Sequence, residues 1–374
     1  MNIQRKANYD AILRKLRHPE KRTWIIMNPG AIGETAMMCG FAKSFIETHG
    51  YGITMVIRPE HSPITSMYPG RFEQVIEVSK EEMDGMMRYF PPDQFEVDVP
   101  FAAFPYFLGD ARADRLTYLY KYPGRGGLSF NDVYRHILML PWDAPIERPQ
   151  VPREWELEAR RYADEIGLEP GKSVILFPSA NTVNEQFPDM LWESLAERLN
   201  ENGCKVYCNM TGGRYRPSLM PVANTIPIEV PLRLGLTLVS IAGRMISLPH
   251  GFQYFQTVGG DFTNISVLLP FSGKSTDVVY HTRTYDRTFA FCAYMCPELI
   301  ADLPRDAFLE FMMPTDASEE EFRRFAMAVA DQDTCHPAIV RRQGMNGGLF
   351  CEEHSDWLRP LAGPRRTHAA VDAK

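Results

Sequence analysis

Several polar residues follow the apolar segments of this sequence at positions where they could do chemistry. Glu34 stands at the start of a helical pattern, directly after Gly33, and a carboxylate there could act as a general base. A carboxylate in the first turn of a helix is also favoured by the helix dipole alone. The pattern therefore predicts either an acid–base group that faces a cleft or an ordinary helix start.

A second set of residues has the chemistry of an anion site. Hydroxyl and amide side chains follow one apolar run, and two glycines with two arginines follow the next. Backbone N–H groups, hydroxyls and guanidinium groups are what binds phosphate or carboxylate in proteins. A solvated loop is the alternative for the arginines. The predicted anion-binding residues are Ser179, Asn181, Thr182, Gly212, Gly213, Arg214 and Arg216.

His250 and Gly251 follow a third apolar run, Met245–Leu248. A lone histidine is more often structural, but this one comes directly after a predicted strand and beside a glycine. Ligands bind at the carboxyl ends of strands in open α/β sheets. The sequence therefore leaves two alternatives for His250 and Gly251, a binding function and a structural function.

Residues 100–130 are rich in aromatic side chains and carry nearby positive charge, including Arg112 and Arg125. One interpretation is an acceptor-binding surface, to which Gly33 would also contribute. The alternative is an aromatic patch that simply packs in the core.

The seven cysteines are an odd number and are scattered, which does not suggest a disulfide framework. Cys292 and Cys296 form a CxxxC pair, and with other residues they could hold structural zinc or iron. CxxxC differs from the usual CxxC knuckle, so buried thiols are the favoured interpretation. The other candidate ligands are Cys335, Cys351, His281, His336 and His354.

The 374 residues are enough for two domains, and 45% hydrophobic with 23% charged residues is ordinary for a globular protein. A net charge of −7 argues against general nucleic-acid binding. No apolar run approaches the roughly 20 residues of a membrane span, and no signal peptide is evident. We therefore expect a cytoplasmic protein.

Residues 7–17 place Ile12, Leu13 and Leu16 on one side of a helical pattern that also carries several basic residues. This pattern predicts a helix packed on the domain surface. The alternative is a basic amphipathic helix on an anionic membrane, which would give peripheral contact with the inner membrane face.

The elements that must position these residues alternate along the chain. Ser173–Gly213 is one βαβ unit, and strand and helix patterns continue to alternate on both sides of it. This alternation predicts doubly wound parallel sheets. Dense prolines between residues 141 and 152 indicate an interdomain linker. The predicted organisation is a Rossmann-like domain over 1–150, a second over 151–330, and a partly disordered extension over 331–374.

The chain resembles bacterial ADP-heptose lipopolysaccharide heptosyltransferases, which are glycosyltransferases with a GT-B fold. Gly33-Glu34 matches a Gly-Asp pair that follows the first strand in that family. Val174–Gly213 matches the second Rossmann unit, with Phe187-Pro188 in place of a Trp-Pro step. Cys292 and Cys296 lie where several members carry closely spaced cysteines. In order and spacing the likeness extends over residues 22–300.

This resemblance implies two Rossmann-like domains facing a cleft, with the acceptor on the N-terminal domain and a nucleotide-sugar on the C-terminal one. It implies inverting transfer of a sugar from a nucleotide-diphosphate donor, suspected to be an ADP-sugar, to a hydroxyl of a glycan or glycoconjugate. No metal is required for such transfer. Glu34 would be the base, and the anion-binding residues with His250 and Gly251 would hold the donor.

Two features of that family are absent from this chain. Glu185 and Gln186 stand where members usually have a lysine that contacts the donor phosphates, and Arg214 or Arg216 could replace its charge. Pro249–Tyr254 lacks the aspartate and histidine of the family's Asp-x-Gly-x-x-His element. The alternatives are a nucleotide-sugar epimerase or hydrolase on the same fold, or a noncatalytic nucleotide-sugar-binding subunit.

Overall fold

In a computed structural model of the protein, the described residues form two sheets with helices around them. The described residues are 7, 10–18, 20–21, 23–28, 32–87, 102–103, 131, 134–135, 138–180, 186–211, 220–259, 264–271, 307–333 and 339–342.

The first sheet lies in the N-terminal part of the chain. Its described elements are β1 (Thr23–Asn28), α1 (Ile32–Gly40), α2 (Ala42–His49), β2 (Gly52–Ile57), α3 (Ser62–Ser66), β3 (Phe72–Glu77), α4 (Lys80–Met87) and β4 (Ala102–Ala103). In this part of the structure, four strands pair in the order β3-β2-β1-β4, and all pairings are parallel. Parallel neighbours need crossover connections, which the helices supply.

The second sheet follows a connecting segment and a helix, α5 (Arg153–Glu165). Its elements are β5 (Ser173–Phe177), α6 (Asp189–Glu201), β6 (Lys205–Asn209), β7 (Ile226–Ile228), α7 (Leu232–Ala242), β8 (Gly243–Ser247), α8 (Gly251–Gly259), β9 (Asn264–Phe271), β10 (Phe308–Pro314), α9 (Glu319–Ala330) and β11 (Ile339–Arg342). The seven described strands pair in the order β11-β10-β9-β8-β5-β6-β7. All pairings are parallel except that of β10 with β11.

Helices cover both faces of the second sheet. Along β5, Val174 and Leu176 join a core with α6 and α9, whereas Ile175 and Phe177 join a core with α7 and α8. Successive side chains of a strand point to opposite faces, so the two helix pairs lie on opposite sides of the sheet. The predicted doubly wound parallel arrangement is confirmed.

The core on the α7 and α8 side does not stop at the second sheet. It continues into the first sheet and its helices, where Trp24, Ile26 and Met38 belong to the same buried cluster as Phe252 and Val267. The two sheets are therefore joined by continuous apolar packing.

The proline-rich connection is held against the first sheet's helices. The backbone N–H of Glu147 donates to the Gly40 carbonyl, and that of Gln150 donates to the Met67 carbonyl, both at 2.7 Å. Arg71 donates two hydrogen bonds of 2.7 Å to the Glu147 carboxylate. The predicted linker is thus an extended segment that is fixed along the first sheet.

The N-terminal segment packs in the way the sequence favoured. Ile12 and Leu16 are buried in a cluster with Ile25, Met27 and Val56 of the first sheet. The apolar side that the membrane alternative required is therefore covered by protein. Among the described helices, none is both long enough and apolar enough to cross a membrane.

Two strands of the second sheet were not predicted. β10 contains Glu310, which is fully buried, and β11 ends in Arg341 and Arg342. Charged residues break the apolar run that signals a buried strand, so the sequence pattern was weak at both places. β11 comes from the predicted C-terminal extension, and the predicted domain boundaries stay predictions. Residues 343–374 of the predicted extension lie outside the described residues.

Candidate functional site

Among the described strands, each sheet has one place where the strand order reverses. In the first sheet the chain runs from β1 outward to β3, and β4 then pairs on the other side of β1. In the second it runs from β5 outward to β7, and β8 then pairs on the other side of β5. Connections leave such neighbouring strands in opposite directions, which opens a crevice at their carboxyl ends. The segments that follow β1, β5 and β8 are therefore the expected ligand-binding segments.

The helices that begin at these two places touch each other. α1 follows β1, α8 follows β8, and their first turns meet at Gly33 and Gly251. A Cβ atom added to Gly251 would lie 2.7 Å from the Gly33 backbone nitrogen and 3.1 Å from the Ile32 Cβ atom. Only glycine allows an approach this close. The two predicted site glycines, from segments far apart in sequence, are thus brought together.

Glu34 lies in the first turn of α1, next to this contact, and is partly exposed. A hydrogen bond connects this turn to the end of β1: the Asn28 amide donates to the Thr35 hydroxyl at 3.1 Å. Asn28 and Thr35 are both buried. The helix start that carries Glu34 is therefore fixed to the central strand of the first sheet.

His250 caps the first turn of α8. Its Nδ1 atom accepts hydrogen bonds from the backbone N–H groups of Phe252, at 3.2 Å, and Gln253, at 3.3 Å. The ring lies 5.3 Å from the Phe177 ring and 6.2 Å from the Phe252 ring, centroid to centroid. Burial among these groups lowers the pKa of His250 to about 3, so the ring is neutral at physiological pH.

Ser179 lies two residues beyond the end of β5, at the same edge as His250. The segments that follow β5 and β8 are joined at this edge, because the Leu248 N–H donates a 3.2 Å hydrogen bond to the Phe177 carbonyl. The Ser179 Oγ atom is buried and has no hydrogen-bond partner in the described part of the chain.

Tyr254 is a site residue that sequence analysis did not select. It is buried on α8 against Gly33, and its hydroxyl donates a 3.4 Å hydrogen bond to the Asn131 Oδ1 atom. Tyr254 stands where the Asp-x-Gly-x-x-His element of the resembled family has its histidine, and this correspondence could have indicated the residue from the sequence. Tyr254 thus connects α8 both to α1 and to the segment that contains Asn131.

The Phe187-Pro188 step has a structural explanation. Phe187 is buried with its ring centroid 6.2 Å from that of Phe322 and 6.0 Å from that of Phe325, both on α9. This packing fixes the point where α6 begins, at Asp189. Gln186, which stands near the position of the family's lysine, is half-buried.

The remaining predicted site residues lie outside the described residues, and their assignments stay predictions. They are Asn181, Thr182, Gly212, Gly213, Arg214, Arg216, Arg112, Arg125, Cys292, Cys296, Cys335, Cys351, His281, His336 and His354. Within the described ranges, no cluster of three or more His, Cys, Asp or Glu side chains could hold a metal ion.

Comparison with known proteins identifies the fold. No family model and no curated protein matches the chain. Among solved structures, Escherichia coli ADP-heptose lipopolysaccharide heptosyltransferase II is similar with a TM-score of 0.50 and 10% identity, over 83% of this chain and 99% of that one. A glycosyl transferase of family 9 from Veillonella parvula is similar with a TM-score of 0.50 and 12% identity, over 83% and 98%. The fold is GT-B.

The GT-B fold confirms the predicted fold class and the predicted resemblance to heptosyltransferases at the level of architecture. In GT-B terms, the contact between α1 and α8 is a contact between the two Rossmann-like halves. At 10–12% identity the likeness shows the fold alone. Function must therefore be argued from the site.

Proposed function

We propose that this protein is a glycosyltransferase that moves a sugar from a nucleotide-diphosphate donor to a hydroxyl of a glycan or glycoconjugate. The observation that carries this proposal is the meeting of two helix N-termini, α1 and α8, at Gly33 and Gly251. Each N-terminus belongs to the strand-order reversal of its own sheet. A ligand held there would contact both halves of the fold.

The charges at this junction favour a diphosphate. Each helix N-terminus carries about +0.5 of an elementary charge, and in α1 the first-turn carboxylate of Glu34 lies beside that charge. The first turn of α8 has no acidic residue, and His250 is neutral. Phosphate groups bind well at helix N-termini because N–H groups and dipole both point at them.

Glu34 is the proposed general base. It takes a proton from the acceptor hydroxyl, and the oxygen attacks the anomeric carbon on the side opposite the diphosphate. The bond from that carbon to the phosphate oxygen breaks, and the diphosphate leaves with the electron pair. The configuration of the anomeric carbon is inverted. The N-terminus of α8 and the predicted Arg214 or Arg216 stabilise the departing charge, so the scheme requires no metal ion.

The substrates follow from the resemblance and from the chemistry of the edge. An ADP-sugar is the proposed donor, because the similar E. coli protein is named for ADP-heptose. Ser179, Asn181, Thr182, Gly212 and Gly213 are the proposed additional donor contacts. On the acceptor side, the proposed contacts are Gly33, Arg112 and Arg125.

The test combines a donor panel with a substitution at Glu34. Isothermal titration calorimetry with ADP, UDP, GDP and CDP is expected to show binding of at least one nucleotide. With the matching nucleotide-sugar and an acceptor, Glu34→Gln should lower the transfer rate by about 10²- to 10⁴-fold, because general base catalysis contributes that much. Donor affinity should stay within about twofold.

Glu47→Gln, on an exposed position of α2, is the matched control and should transfer at the wild-type rate. Wild-type transfer by Glu34→Gln would remove Glu34 from the base assignment. Release of free sugar without an acceptor would favour the hydrolase alternative. Failure to bind any nucleotide would favour a function without a nucleotide-sugar.

A further inference from the structure

The hydrogen bonds of His250 determine its tautomer. The Nδ1 atom accepts from two backbone N–H groups, those of Phe252 and Gln253, so it carries no proton. A neutral imidazole has one ring N–H, which must then be on Nε2. The Nε2 atom of His250 is therefore a hydrogen-bond donor.

This donor is buried and has nothing to donate to. The Nε2 atom has less than 1 Å² of accessible surface and no hydrogen-bond partner in the described part of the chain. A buried donor without a partner is destabilising, and native structures contain few of them. Such an atom therefore requires an explanation, such as a ligand or a trapped water molecule.

The position of His250 favours a ligand. The residue lies between the end of β8 and the first turn of α8, where the strand order of the second sheet reverses. Ser179, on the other side of this reversal, has a buried Oγ atom that likewise has no hydrogen-bond partner in the described part of the chain. Two unused polar groups thus occur at the edge where an α/β sheet binds its ligand.

We propose that His250 binds and positions the donor, with Nδ1 holding the first turn of α8 and Nε2–H donating to a diphosphate oxygen of the nucleotide-sugar. This inference rests on the proposed function and adds a specific contact to it. One imidazole would thus link the helix N-terminus to the anion beside it.

Neutral histidine suits this double function. The lowered pKa of His250 keeps Nδ1 free to accept from α8 throughout the neutral range. A protonated ring would lose that ability, because both of its nitrogens donate. The cap and the Nε2 donor are therefore available together only in the neutral form.

Two substitutions separate capping from ligand binding. Asparagine and aspartate are both good N-cap residues, so His250→Asn and His250→Asp should both keep the first turn of α8. His250→Asn removes the Nε2 donor and should weaken ADP binding about tenfold. His250→Asp places a negative charge beside the diphosphate and should weaken ADP binding further. His18→Asn, at an exposed histidine, is the matched control and should bind as the wild type does.

The measurements are calorimetric titration with ADP and thermal unfolding of each variant. ADP affinity that falls in the order wild type, His250→Asn, His250→Asp, with little change in melting temperature, supports the proposal. Equal ADP affinity in all three proteins would overturn it and leave the proposed function standing. A wild type that binds none of ADP, UDP, GDP and CDP would overturn the proposed function and this inference with it.

A measurement on the wild type does not depend on the folding of variants. In protein labelled with ¹⁵N at histidine, free His250 should show the tautomer protonated at Nε2. Saturating ADP should shift the Nε2 signal while the tautomer stays the same. An Nε2 signal that ADP leaves unchanged would show that the Nε2–H does not donate to ADP, and the proposal would fall.

Discussion

At the scale of single residues, His250 shows how burial changes what a side chain does. The sequence indicated a histidine at a ligand edge, and the structure shows a neutral ring that is enclosed by two aromatic side chains and caps a helix. Because burial disfavours the charged form, the pKa falls to about 3 from the ordinary 6.5. This shift links the protonation of His250 to the stability of the protein.

The shift predicts how stability depends on pH. The unfolded chain binds the proton near pH 6.5, whereas the folded chain binds it near pH 3. The stabilisation is therefore complete above pH 6.5 and is lost as the pH falls toward 3. Between pH 7 and pH 5, the wild type should lose about 2 kcal/mol of unfolding free energy that His250→Asn does not lose. Urea denaturation at both pH values measures this, and equal losses in both proteins would contradict it.

At the scale of elements, the contact between α1 and α8 depends on Gly251. The helices start at different sheets, and the absence of a side chain at Gly251 lets its backbone approach Gly33 closely, whereas a Cβ atom on Gly33 would lie 3.4 Å from Gly251. The same contact brings two positive helix ends together, and of the two only α1 has a carboxylate, Glu34, in its first turn. Close packing and anion binding are therefore two consequences of one arrangement.

Gly251→Ala tests this contact. The new methyl group would meet the backbone of Gly33, which cannot move aside as a flexible side chain can. We expect a loss of about 1–3 kcal/mol in unfolding free energy, as for other overpacked sites, together with weaker ADP binding.

The matched control is Gly259→Ala, at the other end of α8, where the three atoms nearest to an added Cβ all belong to the Leu236 side chain, the nearest at 3.1 Å. It should be close to neutral, because alanine favours the helix and the leucine can adjust. If both variants were equally stable, the contact at Gly251 would not be as tight as described.

Several elements show which parts of the fold local patterns could predict. The helix α7 (Leu232–Ala242) belongs to the predicted alternation of strands and helices, because its apolar residues recur at helical spacing. β10 was missed because Glu310 interrupts its apolar run. Its complete burial is a feature that only the folded protein shows.

At the scale of the whole molecule, the two sheets share one core. The cluster that contains Trp24 and Met38 near the first sheet also contains Phe252 and Val267 of the second half. The connection between them is fixed by Arg71 and Glu147, whose side chains are 29% and 24% exposed. Neither half can separate without exposing apolar surface that both halves bury.

This continuity predicts cooperative unfolding. Heating or urea should unfold both halves in one transition, because the free energy of the shared core is lost as a unit. Calorimetry and far-ultraviolet circular dichroism should give the same midpoint and a ratio of van't Hoff to calorimetric enthalpy near one. Two resolved transitions would show that the halves fold independently and would contradict the shared-core description.

The sequence by itself determined the alternation of strands and helices and the chemical types that follow each strand. These depend on residues close together in the chain, since side-chain periodicity and helix starts are local. Glu34, Ser179, His250 and Gly251 could be selected in this way. Only the tertiary structure decided the strand order, the contact of α1 with α8 and the capping of α8 by His250. They arise from packing between segments far apart in sequence, and a buried polar atom without a partner is recognised only when its surroundings are known.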